Sequence, residues 1–68
     1  MKMTVKACRA QVRATANDLA KAVGVSRDTI YGWEAGKTAP KLSHAMRIVE
    51  FFNSKGLGIS IDDINFLP

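Results

Sequence analysis

The sequence predicts an all-α domain in which five short helices enclose one core. Three observations carry this expectation. Apolar residues recur at helical spacing along the chain, and no stretch makes a convincing strand. Helix-start and helix-stop residues, Thr15, Gly24, Ser26, Gly36 and Ser60, divide it into short segments. The chain has only 68 residues, enough for a single domain spanning 1–68 with a small core.

The first helix covers about Thr4 to Val12, where Val5, Cys8 and Val12 fall on one face. Thr15 opens the second, with Asp18 three residues on as a capping-box variant. Leu19, Ala20 and Val23 turn inward, and Gly24 ends the helix by supplying a left-handed residue. Ser26 caps the third helix, Asp28 suits the positive end of its dipole, and Ile30 and Trp33 are buried. Gly36 stops it, and Lys37-Thr38-Ala39-Pro40 connects to a fourth helix running from Leu42 or Ser43 to Asn53. Its apolar stripe is Leu42, Ala45, Met46, Val49 and Phe52, widened by Ile48, with Phe51 on the far side. A flexible loop, Ser54 to Gly58, leads to a last helix from Ile61 to about Phe66. That helix is capped by Ser60 and Asp63, and its Ile61 and Ile64 close the core.

Composition excludes several classes. The hydrophobic fraction of 47% suits a globular fold and is too high for disorder at this net charge. No apolar run approaches the ~20 residues of a membrane span. The single cysteine permits no intrachain disulfide, and the expected location is the cytoplasm. Cys8 reads as a small core residue. His44, the lone histidine, lacks ligand neighbours at metal spacing, so no metal site is expected. No nucleophile elbow, phosphate loop or dinucleotide fingerprint is present, and Asp62-Asp63 are adjacent carboxylates that point apart. The expectation is a non-enzyme without cofactor or small-molecule ligand.

The net charge of +4 is unevenly placed. Residues 1–41 hold eight Lys/Arg against three acids, and residues 42–68 hold two against three. A basic patch gives salt-sensitive affinity for nucleic acid, and equally keeps a small domain in solution. The run from Thr15 to Pro40 tips the balance. Within it, residues 15–36 form two short helices joined by the tight turn Val23-Gly24-Val25. Burying Ile30 and Trp33 leaves Arg27, Asp28, Thr29 and Tyr31 at or near the exposed start of the second of them. A polar helix start on a basic domain is what reading the DNA major groove requires.

The same residues carry a family resemblance. Arg9, Leu19-Ala20, Gly24-Val25-Ser26, Ile30, Trp33-Glu34, Gly36-Lys37 and Pro40 resemble the lambda-repressor-like and Cro-like helix-turn-helix family, also called the Xre family. The closing segments Ile48 to Asn53 and Ile59 to Ile64 are similar too, so the resemblance runs from about Val5 to Leu67. It implies a five-helix lambda-repressor-like domain with the helix-turn-helix at helices 2 and 3. By function it implies a sequence-specific, nucleoid-associated transcriptional regulator of bacterial or phage type. Such a protein is a Cro-like repressor that binds double-stranded operator DNA as a homodimer.

Site residues follow from that resemblance. Arg27, Asp28, Thr29 and Tyr31 take the base-contacting positions. Arg13, Thr15, Asn17, Ser26, Lys37 and Lys41 are the phosphate candidates, Ser26 being foremost a cap. Arg9 and Glu34 match a pair that ties the first helix to the end of the third. Phe51, Leu57 and Phe66 offer spare apolar surface for a dimer interface. Two positions depart from the pattern: Ala16 stands where many relatives carry glutamine, and Gly32 removes a side chain from the reading helix. An alternative use of this fold is a protein-interaction module of antitoxin or antirepressor type.

Overall fold

Four helices, each entered from extended backbone and each left through a left-handed residue, form most of the structure. The computed structural model describes residues 2–66. A two-residue strand, β1 (Met3–Thr4), leads into α1 (Val5–Gln11), followed by α2 (Ala16–Val23), α3 (Arg27–Glu34) and α4 (Leu42–Ser54). A single 3-10 turn (Ile61–Asp63) and a second two-residue strand, β2 (Ile64–Asn65), complete the order.

Local chemistry explains the helix limits. Thr4, Thr15 and Ser26 each accept a backbone N–H through the hydroxyl at the start of α1, α2 and α3. Such a bond satisfies one of the amides that a helix start leaves without a partner. At Thr15 the bond is reciprocal: Asp18 N–H donates to Oγ1 at 3.0 Å, and Thr15 N–H donates to Asp18 Oδ2 at 3.0 Å. The four helix ends share one device, a backbone bond spanning five residues: Ala14 to Arg9, Val25 to Ala20, Lys37 to Gly32, and Leu57 to Phe52. Each requires a left-handed residue just before the donor. Gly24, Gly36 and Gly56 supply it at three ends, and Arg13 (φ 57°) supplies it at the first.

One core receives a side chain from every helix. Val5, Cys8, Leu19, Ala20, Val23, Ile30, Trp33, Ile48, Phe52 and Ile64 are buried together, with α2 packed on both α3 and α4. The helices α2 and α3 therefore form the expected pair, joined by Gly24-Val25-Ser26.

Three expectations need correction. The last helix, expected from Ile61 to about Phe66, is one 3-10 turn. The Ser60–Asp63 capping box forms, but Ile64 then turns extended, and β2 pairs in parallel with β1 (Met3 with Ile64, Thr4 with Asn65). Extended backbone at Ile64 leaves its side chain buried and satisfies the chain start, a gain that local helix signals do not report. The α4 stripe is also rotated: its buried line is Ala45, Ile48 and Phe52, whereas Leu42 is 67% and Met46 53% exposed. Phe51, placed on the far side, is half-buried against the core. Finally, the segment after α4 is fastened. Asn53 Nδ2 donates to Ile59 O and Ile59 N–H donates to Asn53 Oδ1, both at 2.8 Å.

Candidate nucleic-acid interface

The exposed start of α3 is built by its cap. Ser26 Oγ accepts from Thr29 N–H at 3.2 Å and lies 2.9 Å from Thr29 Oγ1. Thr29 is accordingly half-buried with its hydroxyl engaged, while Arg27 and Asp28 are exposed. Neither the Arg27 nor the Asp28 side chain makes a hydrogen bond or ion pair among the described residues. Two charged side chains stand free at a helix start whose cap is already satisfied, so their donors and acceptors are open to a ligand.

Behind them, Asp28, Tyr31, Gly32, Ala35 and Lys37 line one shallow hollow of about 320 Å³. Three expected contact residues, Asp28, Tyr31 and Lys37, thus share a surface. Gly32 is part of its lining. A Cβ there would meet Thr38 Oγ1 at 3.8 Å, an ordinary contact, so the fold itself leaves room for a side chain.

Two arginines fix α3 and its partner helix. Arg9 donates from Nε to Glu34 Oε2 at 2.9 Å and from Nη2 to Oε1 at 3.1 Å, joining α1 to the last residue of α3. Its Nη1 also donates to Ala14 O at 3.2 Å, which holds the turn ahead of α2. The Glu34 bond raises the Arg9 pKa above its ordinary value, with smaller help from Tyr31, so the fork stays charged. Each of the three guanidinium nitrogens donates to a protein acceptor, which makes Arg9 a brace. Sequence reading missed the second arginine, Arg47. From α4 it donates to Val23 O at 3.2 Å, placing a cation at the C-terminal end of α2 beside Gly24. Only the crossing of α4 over α2 creates that contact, and no local pattern signals it.

The expected phosphate residues lie around this pair. Thr15 and Asn17 are exposed in the first turn of α2, where Asp18 is held below the usual carboxylate range by Thr15 and by Lys55 and Lys21. Ala16 between them is buried, so its departure from glutamine serves packing. Arg13 is exposed on the turn before α2, and Lys37 and Lys41 are exposed in the connector after α3.

Other singled-out residues have packing roles. The His44 ring lies 5.5 Å from that of Trp33, tilted by 40°. Cys8 is fully buried, and burial pushes its thiol pKa up. Phe51 meets Phe52 edge-on at 5.7 Å, with Lys55 Nζ 5.6 Å from its ring. Leu57 and Phe66 are half-buried against the core, Phe66 beside Thr4, Trp33 and Glu34. None of the helices among the described residues is long and apolar enough to cross a membrane.

Comparison with known proteins agrees with this geometry. A family model described as helix-turn-helix matches residues 5–64. An uncharacterized HTH-type transcriptional regulator of Methanocaldococcus jannaschii is 45% identical over 64 residues, covering 94% of this chain and 89% of that protein. Two uncharacterized HTH-type transcriptional regulators of Archaeoglobus fulgidus are similar as well. One is 43% identical over 63 residues (93% of this chain, 89% of that protein). The other is 40% identical over 55 residues (81% and 79%). No solved structure matches.

Proposed function

The chain belongs to the Cro/C1-type helix-turn-helix family of DNA-binding transcriptional regulators, and from that premise we propose that it is a Cro-like repressor of operator DNA. The observation that carries this reading is the start of α3: Arg27 and Asp28 are exposed and unpaired beside a cap that uses Ser26 and Thr29 internally. Arg27 donates two bonds to guanine O6 and N7 in the major groove, the pairing its fork geometry favours. Asp28 accepts from cytosine N4, and Tyr31 reaches a base or phosphate at the groove edge. Thr29, half-buried, offers its methyl group to a thymine.

Affinity comes from the backbone. Arg13, Thr15, Asn17, Lys37 and Lys41, with the amides near Ser26, hold phosphates and set the register without choosing sequence. Gly32 leaves one reading position blank, so fewer base pairs are read per half-site and DNA shape has a larger share. One such helix start spans too few base pairs for specificity. The protein acts as a homodimer on two half-sites about 34 Å apart.

A mobility-shift experiment with a pool of random-sequence duplexes tests this. Purified protein alone should retain a sequence-selected fraction at moderate salt. Retention without selection, or binding only to a second protein encoded nearby, would favour the antitoxin-type use of the fold instead.

A further inference from the structure

Gly32 is a glycine that the fold does not require. It lies inside α3 with helical backbone, without the positive φ of Gly24, Gly36, Gly56 and Gly58. A Cβ on it would meet only Thr38 Oγ1, at 3.8 Å, an ordinary contact. Alanine would hold the helix better, since glycine loses more backbone freedom on folding. Neither backbone conformation nor packing within the chain accounts for the missing side chain. The reason lies in what approaches α3 from outside.

We propose that the room left by Gly32 receives the C5 methyl group of a 5-methylcytosine whose N4 amino group donates to Asp28. The site is the operator-reading face of α3, so this inference rests on that reading. Asp28 and Gly32 are four residues apart and share one face of α3. Helical side chains lean toward the helix start, so the space vacated at Gly32 lies over the turn that carries Asp28. Both residues line the hollow of about 320 Å³, together with Tyr31, Ala35 and Lys37. Asp28 is exposed, and its side chain has no hydrogen-bond or ion-pair partner among the described residues.

Base chemistry matches both features at once. In the major groove cytosine presents its N4 donor, and C5 is the neighbouring ring atom. A carboxylate that accepts from N4 therefore has a C5 methyl beside it, against the Tyr31 ring, the Ala35 methyl and the bare Gly32 backbone. Thymine carries the same methyl but an O4 acceptor, which the Asp28 carboxylate repels. Asp28 chooses the base, and Gly32 its methylation.

Binding is measured on the duplex that wild type selects from a random pool, with each cytosine in turn replaced by 5-methylcytosine or thymine. Methylation of one cytosine per half-site should tighten wild-type binding about fourfold, the worth of one buried methyl group. Thymine at the same position should weaken it. Gly32→Ala should melt at a higher temperature and bind the plain and methylated duplexes alike. Asp28→Asn, whose amide both donates and accepts, should lose the choice between cytosine and thymine and keep the gain from the methyl. Selective wild-type binding that no methylated cytosine tightens overturns the proposal and leaves the operator reading standing. So does a gain that Gly32→Ala retains, or a Gly32→Ala protein that binds neither duplex, which would make the close approach one of DNA backbone. A wild type that selects no sequence removes both readings.

Discussion

Arg9 and Glu34 form a two-point ion pair, 2.9 and 3.1 Å, between the first helix and the last residue of the helix that presents Arg27. The pair lies 25 residues apart in sequence and is largely shielded, with side chains 17% and 7% exposed. Shielding makes it costly to break, because a lone Glu34 would keep its desolvation without its partner. Arg9→Met should destabilise the fold by about 2–3 kcal/mol, and Arg9→Lys by somewhat less, since lysine has no fork. Urea unfolding of both variants, of Glu34→Gln and of the Arg9→Met/Glu34→Gln double mutant measures the coupling. Additive losses would show that the pair is not a brace.

Arg13 occupies the left-handed position that glycine fills at the other three helix ends. A side chain there carries a conformational cost, so Arg13→Gly should stabilise the free protein by about 0.5–1 kcal/mol. If Arg13 meets a phosphate, the same change should weaken DNA binding and lower the slope of log K against log salt by roughly 0.9. Stability and affinity would then move in opposite directions. Thermal unfolding beside a salt-dependent binding titration checks both signs.

Much of this arrangement is legible in the sequence, because it rests on local chemistry. Thr15-Asp18 and Ser26 announce their helix starts, Gly24 and Gly36 their stops, and the spacing of Leu19, Val23, Ile30 and Trp33 marks the buried face. What escaped is set by distant packing. Ser60-Asp63 is an authentic cap, yet Ile64 leaves the helix because β1 offers it a strand partner from the other end of the chain. Leu42 and Met46 match a helical period as well as Ala45 and Ile48 do, and only the seat of α4 on α2 decides which line is buried. Arg47 and Arg13 were silent as structural residues for the same reason: a side-chain bond across helices and a left-handed arginine have no local signature.

Asp18 provides a pH test of the second helix. Thr15, Lys55 and Lys21 hold its folded pKa below the ordinary value. Its contribution is therefore present above the unfolded value, near 3.9, and is lost as pH falls through the folded one. The stability difference between wild type and Asp18→Ala should be constant from neutral pH down to about 5 and shrink below about 4. Denaturation midpoints across that range decide it. A difference unaffected by acid would mean that the capping box does not depend on the carboxylate charge.

Lys37 lines the hollow beside Tyr31 and should anchor phosphate without selecting bases. Lys37→Ala should weaken binding to all sequences alike and reduce the salt slope by about 0.9. Binding isotherms at several salt concentrations, on a preferred and an unrelated duplex, measure both effects. An unaltered slope would place Lys37 on a merely solvated surface.

The central claim is that the start of α3 reads bases through Arg27. Selection of bound duplexes from a random pool, run in parallel with wild type and Arg27→Ala, tests it most directly. Wild type should enrich a two-fold symmetric site with one guanine in each half that the variant ceases to prefer, at a cost of about 1–3 kcal/mol. An identical preference at every position in both proteins, or no enrichment by wild type, would contradict it.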